Sequence, residues 1–359
     1  MSSKIYSVIT GTGNYIPGVS ISNQDFLPNE FYDSAGKQLD KTTQDIIEKF
    51  QEITTIRERR HVDDNLVTSD IAYFAATDAI QSANIDREEL DYIIVAHNFG
   101  DVTHENKRSD IVPSLAARVK QKLEIKNPNT VAYDLIFGCP GWLQATIQAD
   151  YFIRSGDARK VLVIGADVLS RVSDPHDRDS MLYADGAGAS VMEARTSDHP
   201  VGILGHKTRS DTFSYSKMLH MGKSNNPNFA NHKALFLKMD GRRLYQYALE
   251  TVPQAIKECL EQSGTDLRSI SKVLIHQANG KMDDAILKRL YGLYGFEVPE
   301  NVMPMTIGWL GNSSVATLPT LLDLILKDQL DDHKIARGDT IVLASVGAGM
   351  NINALIYKA

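Results

Sequence analysis

The feature that most constrains this chain is an alternation. Apolar, β-branched runs of strand length recur between longer stretches whose apolar residues fall at helical spacing. Runs that are apolar on both faces must be covered on both faces, so the pattern specifies strand–helix–strand units around buried sheets. The fold class is α/β. The strand candidates are residues 7–10, 91–96, 131–137, 160–166, 189–193, 272–276, 340–346 and 351–357. The helical candidates are 68–83, 113–123, 141–154, 242–262, 282–291 and 314–330, with Gly156 and Gly264 placed as C-terminal stops. The polar stretch 207–233 reads as a surface excursion between two similar halves, 1–200 and 201–359. A glycine-led helix start and a Gly/Ala turn into an apolar strand occur in each, at Gly138 and Gly186 in the first and at Gly311 and Gly347 in the second.

The balance of 38 Lys and Arg against 45 Asp and Glu gives a net charge of −7, a field that repels a polyanion, so no nucleic-acid partner is expected. Two cysteines, Cys139 and Cys259, are too few for a disulfide framework and fit a reducing, cytoplasmic setting. No membrane anchor is expected, because no run approaches the roughly 18 apolar residues of a span. Gly11-Thr12-Gly13 lacks the third glycine of a dinucleotide fingerprint, and the ten histidines show no metal-binding spacing, so neither a nucleotide cofactor nor a metal is expected.

Cys139 follows a strand-like run and precedes Pro140, which suits a first helical turn, so its thiol sits at a helix start. Unpaired amides and the positive dipole end there favour a thiolate; the alternative is a small buried core cysteine. Cys259 lies in an ordinary helical pattern and reads as structural. His276 ends an apolar strand, where α/β sheets place ligands and where a neutral imidazole can donate to a developing oxyanion; packing is the alternative. Asn312, between Gly311 and Ser313, offers an amide donor that never ionises, or simply a helix cap. Arg57, Arg59 and Arg60 read as a solvated basic cluster or a grip on a phosphate arm. Lys238, Arg242, Arg243, Lys281, Lys288 and Arg289 form a basic patch for an acidic partner if their elements adjoin.

Taken in order, Phe137-Gly138-Cys139-Pro140-Gly141-Trp142, His276-Gln277-Ala278-Asn279 and Gly311-Asn312-Ser313-Ser314 resemble β-ketoacyl-acyl-carrier-protein synthase III of the thiolase superfamily. Thr55 to Arg60, Asp174 to Arg178 and Asp185 to Ala189 extend the resemblance over nearly the whole chain. It implies a five-layered fold of two similar α/β halves, a homodimer, and an acyltransferase that condenses an acyl thioester with a malonyl thioester. Cys139 would carry the acyl group, and His276 and Asn312 would stabilise the enolate left by decarboxylation. The backbone amides of Cys139 and Ala348 would hold the oxyanion, and Arg178, Tyr245 and Asn279 would line the pantetheine tunnel. Acyl carrier protein would dock on Arg242, Arg243 and Lys281. Coenzyme A or phosphopantetheine thioesters would enter as substrates, with no resident cofactor.

Three departures qualify the match. Lys281 replaces a usual Arg; residues 49–53 lack the Trp and Arg that commonly grip the coenzyme A adenine; and Val346 stands where an aromatic is common, widening the acyl pocket. With the polar segments 98–110 and 207–233 as lids for a larger substrate, these leave open a specialised relative that condenses longer acyl chains in secondary metabolism. A non-catalytic carrier-protein-binding subunit would be expected to have lost one of Cys139, His276 and Asn312, and all three are present.

Overall fold

The computed structural model describes residues 4–359. Its first sheet is built from β1 (Lys4–Tyr15), β2 (Tyr92–Ala96), β3 (Val131–Leu135), β4 (Lys160–Val168) and β5 (Asp185–Ser197), in the order β1-β5-β4-β2-β3. The second uses β6 (Gly202–Ser210), β7 (Ile270–Ile275), β8 (Thr340–Gly347) and β9 (Asn351–Lys358), in the order β6-β9-β8-β7. Each sheet joins an antiparallel hairpin to parallel strands: β4 and β5 turn back on each other as β8 and β9 do, and β2 runs parallel to β4 as β7 does to β8. The place of β3 is taken in the second sheet by the extended segment at Val302, whose carbonyl accepts from Val273 N–H.

Among the described residues, α2 (Thr68–Ala83), α3 (Leu115–Lys122), α4 (Gly141–Ser155), α5 (Gly241–Ser263), α6 (Gly280–Gly292) and α7 (Thr317–Leu326) cover the sheets, while α1 (Thr43–Thr54) packs beside α6. The period-2 alternation of the strands decides which helix meets which face. Ile93 and Val95 pack outward under α2 and α3, whereas Ile94 and Ala96 face inward on α4. Likewise Val342 and Ala344 lie under α5 and α6, and Ile341 and Leu343 point to the middle. Helices α4 and α7 therefore lie between two sheets, and Trp142, Leu143, Ile147, Leu318, Leu321 and Ile325 form one central core with both. The result is five layers, helix–sheet–helix–sheet–helix. Gly156 and Gly264 terminate α4 and α5 in the left-handed conformation their sequence positions predict.

Several expectations need correction. Strand β1 runs well past residues 7–10. Its glycines do not break it; they admit the α2 backbone, since a Cβ on Gly11 would stand 2.3 Å from Ala83 N. The stretch 207–233 is not one excursion: it begins inside β6, continues through a short helix (Thr212–Tyr215), and forms a strand, Leu219–Gly222, paired with Phe236–Met239. The remainder is pinned down by Asn225, which bonds Asp174 and the Tyr32 carbonyl. Segment 98–110 is also only partly a surface feature. Asp101 is buried, bonded to Ser69 and to Arg118 at 2.6 Å, and residues 103–110 alone are exposed. Helix α1 escaped detection because it buries only Ile46, Ile47, Phe50 and Thr54.

Two basic residues leave the clusters assigned to them. Lys238 is buried in an ion cluster, 2.5 Å from Asp174 and 3.1 Å from Asp177, so it contributes nothing to a docking surface. Arg59 is fully buried and is no solvated face. It donates to the carbonyls of Met181 and Ile21 and to Asn23 Oδ1, with Phe26 and Phe50 against its guanidinium. Burial lowers its pKa to about 10.

Candidate active site

The sequence-predicted residues collect where parallel strands end. Cys139 follows β3, His276 follows β7, Ala348 follows β8, and Asn312 precedes the single 3₁₀ turn (Ser314–Ala316) that leads into α7. This is the sheet end at which α/β folds bind ligands. The two halves interlock there. Gly138 has φ +68°, and a Cβ on it would lie 2.6 Å from Ala348 N; a Cβ on Gly347 would lie 2.4 Å from Cys139 N. The loop carrying Cys139 and the Gly/Ala turn of the other half are thus closely packed, with the Ala348 nitrogen against Gly138 and the Cys139 nitrogen against Gly347.

Asn312 reaches the same place from the other side. Its main chain bridges to Tyr183, accepting from Ala184 N–H and donating to the Leu182 carbonyl, each at 2.9 Å. Its side-chain oxygen accepts from Ser314 N–H at 2.9 Å, and its NH₂ forms no hydrogen bond among the described residues. Ser314 in turn donates its hydroxyl to Cys139 Sγ at 3.4 Å. Cys139 and Asn312 therefore belong to one cluster. His276 enters from the strand next to β8, its N–H on the Ala344 carbonyl at 2.8 Å, and its Nδ1 is buried with no partner among the described residues.

The electrostatics differ from expectation at the thiol. Burial pushes Cys139 up to about 11; the Ser314 hydroxyl and the residue's own N–H pull it down, and Asp167 pushes it further up. Burial also lowers His276 to about 4, so its imidazole is neutral at physiological pH. Cys259 is fully buried with its sulfur on the Ala354 carbonyl, the structural role its pattern suggests.

Arg178 and Tyr245 are exposed, and Asn279 caps α6 by accepting from Met282 N–H. Arg242 and Arg243 open α5 and Lys281 opens α6; all three are exposed. Because α5 leads into β7 and α6 leaves it, both helices start at the strand end that carries His276. Lys281 lies 3.8 Å from Glu52 of α1.

Sequence reasoning missed three residues beside the sulfur: Ser314, Asn98 and Asp167. Asn98 bonds Asp167 through its backbone (2.9 Å) and its side chain (2.7 Å), and also reaches Ser314 Oγ at 3.1 Å. The available signal was a lone carboxylate, Asp167, after the apolar run 161–166 of β4.

A duplicated, five-layered α/β fold with a cysteine, a neutral histidine and an asparagine at its strand ends defines a thiolase-superfamily condensing enzyme. Family models for 3-oxoacyl-[acyl-carrier-protein] synthase III match residues 133–212 and, for its C-terminal part, 260–359. The β-ketoacyl-[acyl-carrier-protein] synthase III of Xanthomonas euvesicatoria pv. vesicatoria is 32% identical over 363 residues, covering 100% of both chains. The crystal structure of 3-oxoacyl-[acyl-carrier-protein] synthase III from Aquifex aeolicus VF5 superposes with a TM-score of 0.80 at 30% identity, covering 98% of this chain and 100% of that one. The priming β-ketosynthase of the R1128 polyketide biosynthetic pathway does so with a TM-score of 0.80 at 26% identity, covering 100% and 97%. The chain belongs to the β-ketoacyl-acyl-carrier-protein synthase III family and is an acyltransferase, a condensing enzyme acting on acyl thioesters. No helix among the described residues is long and apolar enough to cross a membrane.

Proposed function

We propose that the enzyme joins an acyl group held on Cys139 to the two-carbon unit of a malonyl thioester, releasing carbon dioxide and a β-ketoacyl-acyl-carrier protein. In the first half-reaction the Cys139 thiolate attacks the donor thioester, and the donor thiol leaves with a proton. The tetrahedral oxyanion lies between the amides of Cys139 and Ala348, donors that need no reorganisation as charge develops. In the second, carbon–carbon cleavage of the malonyl group leaves an enolate, held by the imidazole N–H of His276 and the free NH₂ of Asn312. The enolate carbon attacks the acyl-cysteine carbonyl and the thiolate departs. A neutral imidazole suits this task, because decarboxylation itself generates the carbanion and no base is required.

The observation that carries the reading is the convergence of the Cys139 and Asn312 loops on one sulfur, with a neutral His276 on the adjoining sheet. Arg178, Tyr245 and Asn279 would line the path of the pantetheine arm. Arg242, Arg243 and Lys281 would receive acyl carrier protein. The homodimer is supported by edge strand β3 and the residue after it, where Val131 and Ile136 are exposed at 47% and 64%. The free cysteines fit a cytoplasmic setting, and residues 1–200 and 201–359 are read as the halves carrying the nucleophile and the His/Asn pair.

Incubation with a panel of acyl-coenzyme A and acyl-carrier thioesters, followed by intact-protein mass spectrometry, tests this. Wild type should gain one acyl mass and Cys139→Ala none; an adduct on the variant, or none on wild type with any donor, refutes it. The same panel decides a second reading, specialisation for longer acyl groups. That reading is favoured by Val346, a buried aliphatic residue one position before the Gly347 turn, and a preference for acetyl would reject it.

A further inference from the structure

Beside the cysteine, the structure holds a chain of polar groups that the reaction above does not use. It runs from Asp167 at the end of β4 through Asn98 to Ser314 and ends on Cys139 Sγ. A serine hydroxyl has one proton and two lone pairs. Asn98 Nδ2 spends one hydrogen on Asp167 Oδ2 at 2.7 Å and the other on Ser314 Oγ at 3.1 Å. With that lone pair filled, the hydroxyl proton is left facing the sulfur at 3.4 Å. The backbone is committed to the same end. Ser314 is a non-glycine residue at φ +54°, held by its N–H on Asn312 Oδ1, and left-handed strain of this kind survives only where surrounding contacts enforce it. Asp167 clamps Asn98 by main chain and side chain together, so the amide cannot turn away from Ser314.

We propose that Ser314 is a catalytic residue that donates a hydrogen bond to the Cys139 thiolate, and that Asn98 and Asp167 are positioning residues that steer its hydroxyl onto the sulfur. The proposal rests on Cys139 being the nucleophile. The sulfur carries negative charge twice per cycle, before it attacks the donor and as it is expelled by the enolate, and the donor serves it both times. In the transfer itself the new bond is Cys139 S to acyl carbon, the broken bond is acyl carbon to donor sulfur, and the departing thiol takes up the proton that Cys139 gives. The other titratable groups around this cluster are Tyr183, whose phenol feels the Cys139 charge, His97 behind Asp167, and His276 on the second sheet.

The test is the pH dependence of Cys139 alkylation by iodoacetamide, with the modified residue mapped by mass spectrometry. This reads the thiolate directly and needs no acyl transfer, so a failed acylation experiment and a failed prediction here remain distinguishable. Ser314→Gly removes the hydroxyl and relieves the left-handed backbone, so the fold is spared. It should raise the midpoint by about one pH unit, slowing alkylation about 10-fold on the acid side, where a hydrogen bond to a charged group is lost. Asn98→Ala should move the midpoint the same way by less. In both variants the acylation rate should fall while KM for the acyl thioester stays constant. An unmoved midpoint in Ser314→Gly overturns the donor role; an unmoved midpoint in Asn98→Ala overturns the steering.

Discussion

The two halves share a plan so closely that their differences identify the working parts. Helix α2 ends in a left-handed Asn84, and a 3₁₀ turn capped by Asp86 leads to β2; α5 ends in a left-handed Gly264, and a turn capped by Asp266 leads to β7. Both first strands carry a register shift at a glycine beneath the outer helix, Gly11 against Ala83 and Gly205 against Ser263. At the strand ends the residues diverge. Ala96 in the first half stands where the second has His276, and the Ala96 methyl instead lets Gly141 approach. One position on, His97 and Gln277 do the same work, the first tying Asp134 to the Gly100 amide and the second tying Pro304 to Thr306 and Ile307. One further, the Asn98 side chain reaches the carboxylate, whereas Ala278 has no polar side chain to do so. The scaffold occurs twice, and the candidate site residues are divided between the halves: cysteine and buried acid in one, imidazole and carboxamide in the other.

The sharpest way to break this picture is at the interlock. Gly138 (φ +68°) packs on the second half and Gly311 (φ +72°) packs on the first, where its Cβ would stand 2.6 Å from Arg59 Cβ. Alanine at either position adds left-handed strain to a collision with fixed neighbours, so each should lose about 4 kcal/mol or more by urea denaturation. A loss below about 1 kcal/mol at either would show that the halves do not lock there.

A smaller effect separates the halves by pH. His276 has an ordinary value of 6.5 and about 4 when folded, so between these pH values the unfolded chain holds the extra proton and stability rises with pH. Asp167 goes from 3.8 to about 6, so the folded chain holds the extra proton and stability falls as pH rises through that window. Each contribution is about 3 kcal/mol, and in wild type they oppose. Asp167→Asn should leave a stability that climbs from pH 4.5 to 6.5, and His276→Ala one that declines. Denaturation midpoints showing the same slope in both variants would contradict the assignment of these groups to opposite charge states.

Most of the architecture was legible because burial on both faces writes itself as unbroken apolar runs: 160–166 and 340–346 are strands β4 and β8, and Gly156 and Gly264 are stops. The failures share a cause. Arg59, Lys238 and Asp101 are charged residues whose burial depends on partners distant in the chain: Met181 for Arg59, Asp174 for Lys238, and Ser69 with Arg118 for Asp101. Local pattern reads them as surface. At the candidate site, motif order pointed to Cys139, His276 and Asn312, and the structure places Cys139 and Asn312 in one cluster with Ser314. Asn98 and Asp167 were passed over, because a polar residue at the end of an apolar run looks like the start of a loop. The thiol's helix start favoured a thiolate and its apolar helix a buried cysteine; the structure shows burial dominating, which raises its pKa.

The smallest predicted effect concerns the surface. At corresponding ends, α2 opens with Thr68, Ser69 and Asp70, whereas α5 opens with Gly241, Arg242 and Arg243 and α6 with Gly280 and Lys281. Cations in a first turn oppose the helix dipole, an arrangement that costs about 0.3–1 kcal/mol each and so fits a binding role better than a stabilising one. Arg242→Glu, Arg243→Glu and Lys281→Glu should therefore leave stability unchanged or slightly raised. Each should lower kcat/KM for a carrier-protein thioester by a few-fold, with no change for a short uncharged pantetheine thioester. Added salt should bring wild type toward the variants, since exposed charge pairs are screened within about a nanometre at physiological ionic strength. Lys122→Glu, on α3 of the first half, is the control and should change nothing with either substrate. If it depresses the carrier reaction as much as the other three, the basic ends of α5 and α6 are not where the carrier docks.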